Sequence, residues 1–495
     1  MNVADLETVL PFLLLATGGV ALLLVDLAVP QARKSLTGWL AFVVALAAGV
    51  SALALVSGKT MKGFAGMVQA DAFAYFADVL LCVVAALVIL LSLRYHTARG
   101  LMRGEFYPLL LLSLSGMSLA VHAADLLVVF LAIELLSIPL YVLSGFARPR
   151  LESEEAALKY FLTGAFASGF LVYGVALIYG ASGTTALGDL RAALLDNPAL
   201  TSDALLMAGL ALVMVGLLFK IAAVPFHFWA PDVYEGAPTT VTAFMATATK
   251  AAAFLALMRV VAGFAALSPS LAQPFEVADA LRPMLALIAA ITMIVGNVTA
   301  LAQQNVKRML AYSSIAHAGY ALAGVASGDA TAVLFYLAAY AFATLAAFVV
   351  LIAVGSTEGN EDHRYEAYAG LGRRAPLLGV IMALAMFSLI GIPPTAGFVG
   401  KYFLFRAVVA SDLTWLAVIG VLTSALSAAF YLRVLMVLFM REPETAPEAE
   451  PAALAADAPR MVAAYVSAAA VLLIGVFPSA VLALLTGGEL VALVR

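Results

Sequence analysis

The sequence predicts an all-α polytopic membrane protein with about fourteen transmembrane helices. Three observations carry this. Hydrophobic residues make up 64 % of the 495 and charged residues 11 %, against about 25 % charged in a soluble domain. Mean hydropathy is +1.06. Apolar runs of bilayer-spanning length, about 20 residues, recur along the chain, and no stretch between them is long enough for a soluble domain.

Taken in order, the runs centre near Ala16, Val44, Val83, Ser113, Ile133, Phe166, Leu212, Thr247, Ala290, His317, Tyr340, Ala385, Ile419 and Leu472. The opening "MNVADLETVL" has no basic region ahead of its apolar run, so the first run is expected to be a retained span and not a cleaved signal. One membrane domain is expected over 1–495, with the first three helices in 1–105, a Pro-, Ala- and Glu-rich polar loop at 441–460 and a last helix in 461–495. The longest other polar stretch is Ser356 to Pro376. Loops holding Arg33, Arg99, Arg148 and Arg373 carry twice the Lys and Arg of loops holding Lys62, Arg191 and Arg282. The positive-inside rule then puts both termini on the outer, periplasmic side.

Two spans are interrupted. "GLLFKIAAVPFHFWAPD", Gly216 to Asp232, and "FSLIGIPPTAGFVGKYFLF", Phe387 to Phe405, break at Pro225 and at Pro393-Pro394. Proline removes a backbone donor and clashes with the preceding turn. Irregular backbone at membrane depth is tolerated only where it lines a cavity or packs on protein. A lysine stands near each break, Lys220 before the first and Lys401 after the second. Paired interrupted spans point to an ion site at an internal repeat.

Charges inside spans cost roughly 2.5–3.5 kcal/mol each at the bilayer centre. Glu134, Lys159, Lys220, Lys250 and Lys401 are expected to bear that cost, and His317 adds a titratable group. Desolvation disfavours the charged form of an amine, and a nearby carboxylate restores it. Two unit charges about 4 Å apart interact by roughly 4 kcal/mol at an effective dielectric near 20. Moving one charge against about 100 mV requires roughly 2.3 kcal/mol. One switched Glu134–lysine pair therefore has the right size to load or unload a proton. Lys220 and His227 are seven residues apart and would share a face on an ideal helix, which extends the relay. Plainer roles compete with these: Lys159 snorkelling beside Glu152, Glu154 and Glu155, a structural Lys220 and Lys250, and a packing His317. Asp71 is expected to cap its helix. Asp78, seven residues on, is left open.

Absent motifs narrow the chemistry. Cys82 is the single cysteine, so no internal disulfide or iron–sulfur cluster can form. There is no G-x-G-x-x-G and no Walker A lysine. No metal or cofactor site is expected in this chain.

The segments "FKIAAVPFHFWAPDVYEGAPTTVTAFMATATKAAAF", "NVKRMLAYSSIAHAGYALAG" and "GIPPTAGFVGKYFLF" resemble the antiporter-like membrane subunits of respiratory complex I, the bacterial NADH:quinone oxidoreductase. The resemblance runs from about Asp71 to about Met440, and "DVYEGAP" separates one branch from its sister subunits. It implies fourteen helices with two inverted five-helix repeats, each holding a broken helix: 106–262 with helices 4–8, and 276–440 with helices 9–13. It implies a proton path through Glu134 paired with Lys220, then Lys250 and Lys401, with Lys159 as a further family lysine and His227 and His317 as candidate relays. FMN, iron–sulfur clusters and the quinone site are expected in partner subunits, and the partners are the other membrane-arm subunits and the bilayer of a bacterial inner membrane. The second half offers no acid to match Glu134. The competing readings are a subunit of a multisubunit sodium/proton antiporter, a subunit of a membrane-bound hydrogenase, and a spacer that moves nothing.

Overall fold

The computed structural model describes residues 3–56, 60–264, 281–354, 361–442 and 457–486. The first half holds α1 (Leu10–Ala28), α2 (Ser35–Leu55), α3 (Ala72–Ala98), α4 (Phe106–His122), α5 (Leu126–Ser144), α6 (Leu151–Ser182), α7 (Ala204–Lys220), α8 (Trp229–Gly236) and α9 (Thr239–Gly263). The second holds α10 (Leu281–Leu301), α11 (Val306–Ser327), α12 (Ala330–Val354), α13 (Pro376–Ile390), α14 (Ala396–Ala410), α15 (Thr414–Met440) and α16 (Ala458–Val476). Each predicted centre falls in one of these helices. Among the described residues ten are by themselves long and apolar enough to cross a bilayer, or eleven if Tyr365–Arg374 and α13, bent by 118°, form one span. The predicted junction between the two halves falls largely in 265–280, and most of the predicted 441–460 loop in 443–456, outside the described residues.

Local chemistry sets the helix starts. Asp71, Asp125, Asp203 and Asn305 each accept a backbone N–H from the first turn of α3, α5, α7 and α11, satisfying donors that a helix start otherwise leaves open. The expected Asp71 cap is thus present. One element is unexpected: strands β1 (Met61–Gly63) and β2 (Val68–Ala70) pair antiparallel ahead of α3.

Helices α3, α9 and α12 form the centre, buried over most of their length, whereas α1, α2 and α6 turn apolar side chains such as Leu24, Leu27, Val50 and Phe166 outward. A helix apolar on all sides is either central or faces lipid, and both kinds occur here. Small residues bring helices together. A Cβ on Gly174 of α6 would lie 2.6 Å from the Gly209 carbonyl oxygen of α7, and one on Gly209 would lie 2.9 Å from that of Gly174. In the "GAFASG" stretch, Gly164 packs on Tyr141, but Gly169 faces open space.

Both predicted breaks are present and close in the same way. After α7, Ala222 turns to φ 58 and the Ala223 N–H reaches back to the Leu218 carbonyl at 3.0 Å. After α13, Gly391 turns to φ 93 and the Ile392 N–H reaches the Phe387 carbonyl at 2.9 Å. This left-handed closure suits glycine; alanine holds it at the first break against a steric penalty.

Candidate functional site

Lys220 is the last residue of α7, and its ammonium points into the first half. Nζ donates to the Ser137 hydroxyl at 2.7 Å and to the Tyr160 hydroxyl at 2.9 Å. The Tyr160 ring stacks on Trp229, whose indole N–H donates to the Phe219 carbonyl at the end of α7. A cavity of about 10 Å³ lies beside Lys220, lined also by Ser137, Tyr141 and Ser168. That is about the space one water needs. Glu134 is half-buried and accepts a hydrogen bond from Ser168. Among the described residues no ion pair joins Glu134 to Lys220; Ser168, which donates to Glu134, and Ser137, which accepts from Lys220, both line the small cavity.

Lys250 lies at the middle of α9, directly after a π-helical turn, Met245–Thr249. Such turns are rare and mark functional positions in many helices. Its ammonium donates to the backbone carbonyl of Ser314 in α11 at 2.6 Å. One turn along α11, the His317 ring joins two tyrosines. Nδ1 shares a hydrogen bond of 2.6 Å with the Tyr336 hydroxyl, and Nε2 one of 3.2 Å with Tyr431.

Lys401 completes the line. Its ammonium donates to the Leu389 and Ile390 carbonyls, both at 2.8 Å, and to the Ser424 hydroxyl at 2.7 Å. It sits 4.9 Å from the centroid of the Tyr320 ring, and that ring contacts His317. The predicted lack of an acid here stands: among the described residues no carboxylate touches Lys401, and the open carbonyls at the end of α13 take that role. A cation at a helix C-terminus is favoured by about 0.3–1 kcal/mol.

Two expectations change. Lys159 is not buried: its side chain is 44 % exposed and paired with Glu155 at 2.6 Å and Asp232 at 2.9 Å, because it lies near the start of α6, where Asp232 of α8 comes alongside. His227 does not share a helical face with Lys220. Helix α7 ends at Lys220 and residues 221–228 are not helical, so the seven-residue spacing has no helical meaning. His227 is half-buried, and its Nδ1 has no hydrogen-bond partner among the described residues.

Buried polar pairs made by Glu361, Asp78 and Asp71 were missed. Glu361 is enclosed by Lys307 and Arg150, each at 3.4 Å, by Thr239 at 2.9 Å, and by Tyr95. Burial alone would raise its carboxyl, but Lys307, His363 and Arg99 outweigh that and hold it well below the usual carboxylate range. Burial also pulls the His363 imidazole below its usual range. Asp78 pairs with His122 at 2.8 Å, and Asp71 with Arg259 at 2.7 Å through both oxygens. Asp78 had a signal, an acid in an apolar run. Glu361 had none, since it lies in a polar stretch that folds inward.

Two broken helices and a line of buried lysines, set in a bundle of apolar helices, define an antiporter-like membrane protein. Residues 123–427 match the family model described as NADH:quinone oxidoreductase/Mrp antiporter, transmembrane. NADH-quinone oxidoreductase subunit N of Trichlorobacter lovleyi is 44 % identical, covering 97 % of this chain and 96 % of that protein. Its namesake from Chloroflexus aggregans is 47 % identical over 90 % of each. A chain in the structure of respiratory complex I from Thermus thermophilus with bound aureothin aligns at a TM-score of 0.78 and 38 % identity, over 96 % of this chain and 98 % of that one. The chain belongs to the NADH:quinone oxidoreductase/Mrp antiporter family, in its subunit N branch.

Proposed function

We propose that this chain is a proton-translocating subunit of the membrane arm of an NADH:quinone oxidoreductase, driven by quinone reduction in partner subunits. One observation carries the reading. Lys220, Lys250 and Lys401 are buried, and among the described residues their ammonium groups touch only hydroxyl and carbonyl oxygens. An amine held by neutral oxygens can lose its proton without stranding a carboxylate, whereas a buried pair that loses one charge is strongly penalised. The path runs from Glu134 by Ser168 and the water-sized cavity to Lys220, on to Lys250, then by His317 and its tyrosines to Lys401. Lys159, with Asp232, lies at the surface and gathers protons there; His227 lies beside the first break.

In this reading the fourteen spans are the ten apolar ones plus α4, α7 with α8, α11, and α13 with α14. The two breaks belong to inverted repeats over 106–262 and 276–440. Both termini face the periplasm, and flavin, iron–sulfur and quinone sites lie in other subunits. A multisubunit sodium/proton antiporter is the second reading, since the family description includes it; the "DVYEGAP" segment and the subunit N relatives weigh against it.

The test replaces Lys220 with alanine in the assembled complex and measures NADH:quinone turnover and proton movement in the same vesicles. Collapse of both with assembly intact supports the reading. Survival of both makes Lys220 a structural residue.

A further inference from the structure

Helix α9 leads away from Lys250 to a second, unused set of polar groups. Arg259 lies nine residues beyond Lys250, about 14 Å along the helix. It lines a cavity of about 500 Å³ together with Lys62, Gln69, Ala123, Arg191 and Gly263. Ala123 directly follows α4 and Gly263 ends α9, so the two helices run in the same direction and finish at this cavity. The Arg259 Nε donates to the Val121 carbonyl at 3.1 Å, which sets His122 level with the cavity.

Four buried polar atoms on α3, α4 and α9 have no hydrogen-bond partner among the described residues: Asp78 Oδ1, His122 Nδ1, Ser118 Oγ and Thr249 Oγ1. Thr249 adjoins Lys250, and Ser118 lies one turn before His122. Unpartnered polar atoms are rare in folded interiors and call for an explanation, such as a catalytic role or a bound water. Thr249 precedes Lys250 on the side away from the cavity, while Asp78, Ser118 and His122 lie on α3 and α4, which pack on α9 and on each other, with His122 directly before Ala123 of the cavity lining. The charged and titratable groups around them are Asp71, Tyr75 and Cys82 on α3, Arg259 on α9, and Glu7 in the N-terminal segment, whose carbonyl receives the Tyr75 hydroxyl. Arg259 is already matched by Asp71 through two bonds, so Asp78 and His122 are left to each other.

We propose that Asp78 and His122 form a proton-holding pair that links Lys250 to the cavity at the end of α9. The pair takes one extra proton at His122 Nδ1, with the Asp78 carboxylate facing the imidazolium through Nε2. Release of that proton to water restores neutral imidazole and carboxylate, so the exchange is balanced with no other reactant. This proposal rests on the proton-path reading above.

The test uses the assembled complex in sealed vesicles with four variants: Asp78→Asn, Asp78→Glu, the double variant Asp78→Asn/His122→Gln, and Lys220→Ala. Asparagine and glutamine keep hydrogen-bonding groups in place but cannot titrate, and glutamate restores titration. Turnover and proton movement are recorded against pH, with assembly checked by native electrophoresis. The expected result is a fall of about tenfold or more in both rates for Asp78→Asn and the double variant, of the order removed with a proton-transfer group, and substantial recovery in Asp78→Glu. A double variant with wild-type rates and pH profile overturns the proposal, and so does an Asp78→Glu variant as impaired as Asp78→Asn, since packing alone then explains the loss. If Lys220→Ala pumps normally, the path reading fails and this proposal with it. If Lys220→Ala is dead and the double variant is not, this proposal alone fails.

Discussion

The ammonium of Lys401 in α14 donates to the carbonyl oxygen of Leu389 in α13 at 2.8 Å. A residue beyond the second break thus closes the helix before it, and the same contact keeps the lysine buried without a carboxylate. Two substitutions separate these roles. Arginine keeps donors for the carbonyls but does not deprotonate in proteins. Lys401→Arg should assemble and lose turnover and pumping by about tenfold or more. Lys401→Met should in addition lose about 1–3 kcal/mol, the cost of leaving buried carbonyls unpaired. Thermal unfolding of the purified complex and vesicle assays read the two effects. Normal pumping by Lys401→Arg would reduce this lysine to a helix cap.

Lys220 leans on two hydroxyls in place of an acid. Ser137→Ala and Tyr160→Phe each remove one oxygen from a charged donor, a bond worth about 1.5–3 kcal/mol. Each should slow turnover, and Glu134→Gln should slow it less than Lys220→Ala, because no direct ion pair is lost. Steady-state rates of the four variants at one pH give the order. A Glu134→Gln defect equal to that of Lys220→Ala would contradict the indirect arrangement.

Glu361 and Lys307 join the loop after α12 to the start of α11, with both side chains fully buried. Breaking a buried pair by removing one partner costs about 3–5 kcal/mol. Glu361→Ala should therefore lower the unfolding temperature of the complex or prevent its assembly. Glu361→Gln keeps the Thr239 and Tyr95 hydrogen-bonding positions and should be milder. A mild effect from both would mean that the pair contributes little to holding the loop.

The same cluster sets a pH dependence. The folded carboxyl of Glu361 lies below its ordinary value of 4.5, so its stabilisation is present above that value and fades as pH falls toward the folded one. His363 lies below its ordinary 6.5 when folded. The unfolded chain therefore takes up that proton first, and stability declines once pH drops under about 6.5. Both groups act in one direction. Unfolding temperatures from pH 8 to pH 4 should fall on the acid side, and His363→Asn should remove the part of that fall nearest pH 6.5.

Lys159 tests the surface assignment. Its bonds to Glu155 and Asp232 are half-exposed, and such pairs contribute about 0–1 kcal/mol. Lys159→Gln should leave the unfolding temperature nearly unchanged. A large drop would show that the surface pair supports the bundle.

Much of the fold could be read along the chain because membrane helices satisfy their backbone within a single segment. Each apolar run therefore reports its own helix, and the prolines at 225, 393 and 394 report where a helix must stop. The lysines were legible for a related reason: a cation in an apolar run is costly, and Lys220, Lys250 and Lys401 are buried as that cost implied. Lys159, close to a helix start, carried the same mark and proved a surface residue.

What the tertiary structure alone decided is which groups face each other. Helical spacing placed His227 with Lys220, but the helix ends at Lys220, so the spacing does not set their relation. Composition marked Ser356 to Pro376 as a polar loop, yet Glu361 and His363 from it are buried against Lys307 and Thr239. No acid was expected beside Lys401 and none touches it among the described residues, but that the carbonyls of a neighbouring helix hold its ammonium was not legible. By itself the sequence determined the helices, their breaks and the buried cations, since each follows from local backbone and solvation energetics. The partners of those cations come from helices far apart in the chain, and only packing brings them within hydrogen-bonding distance.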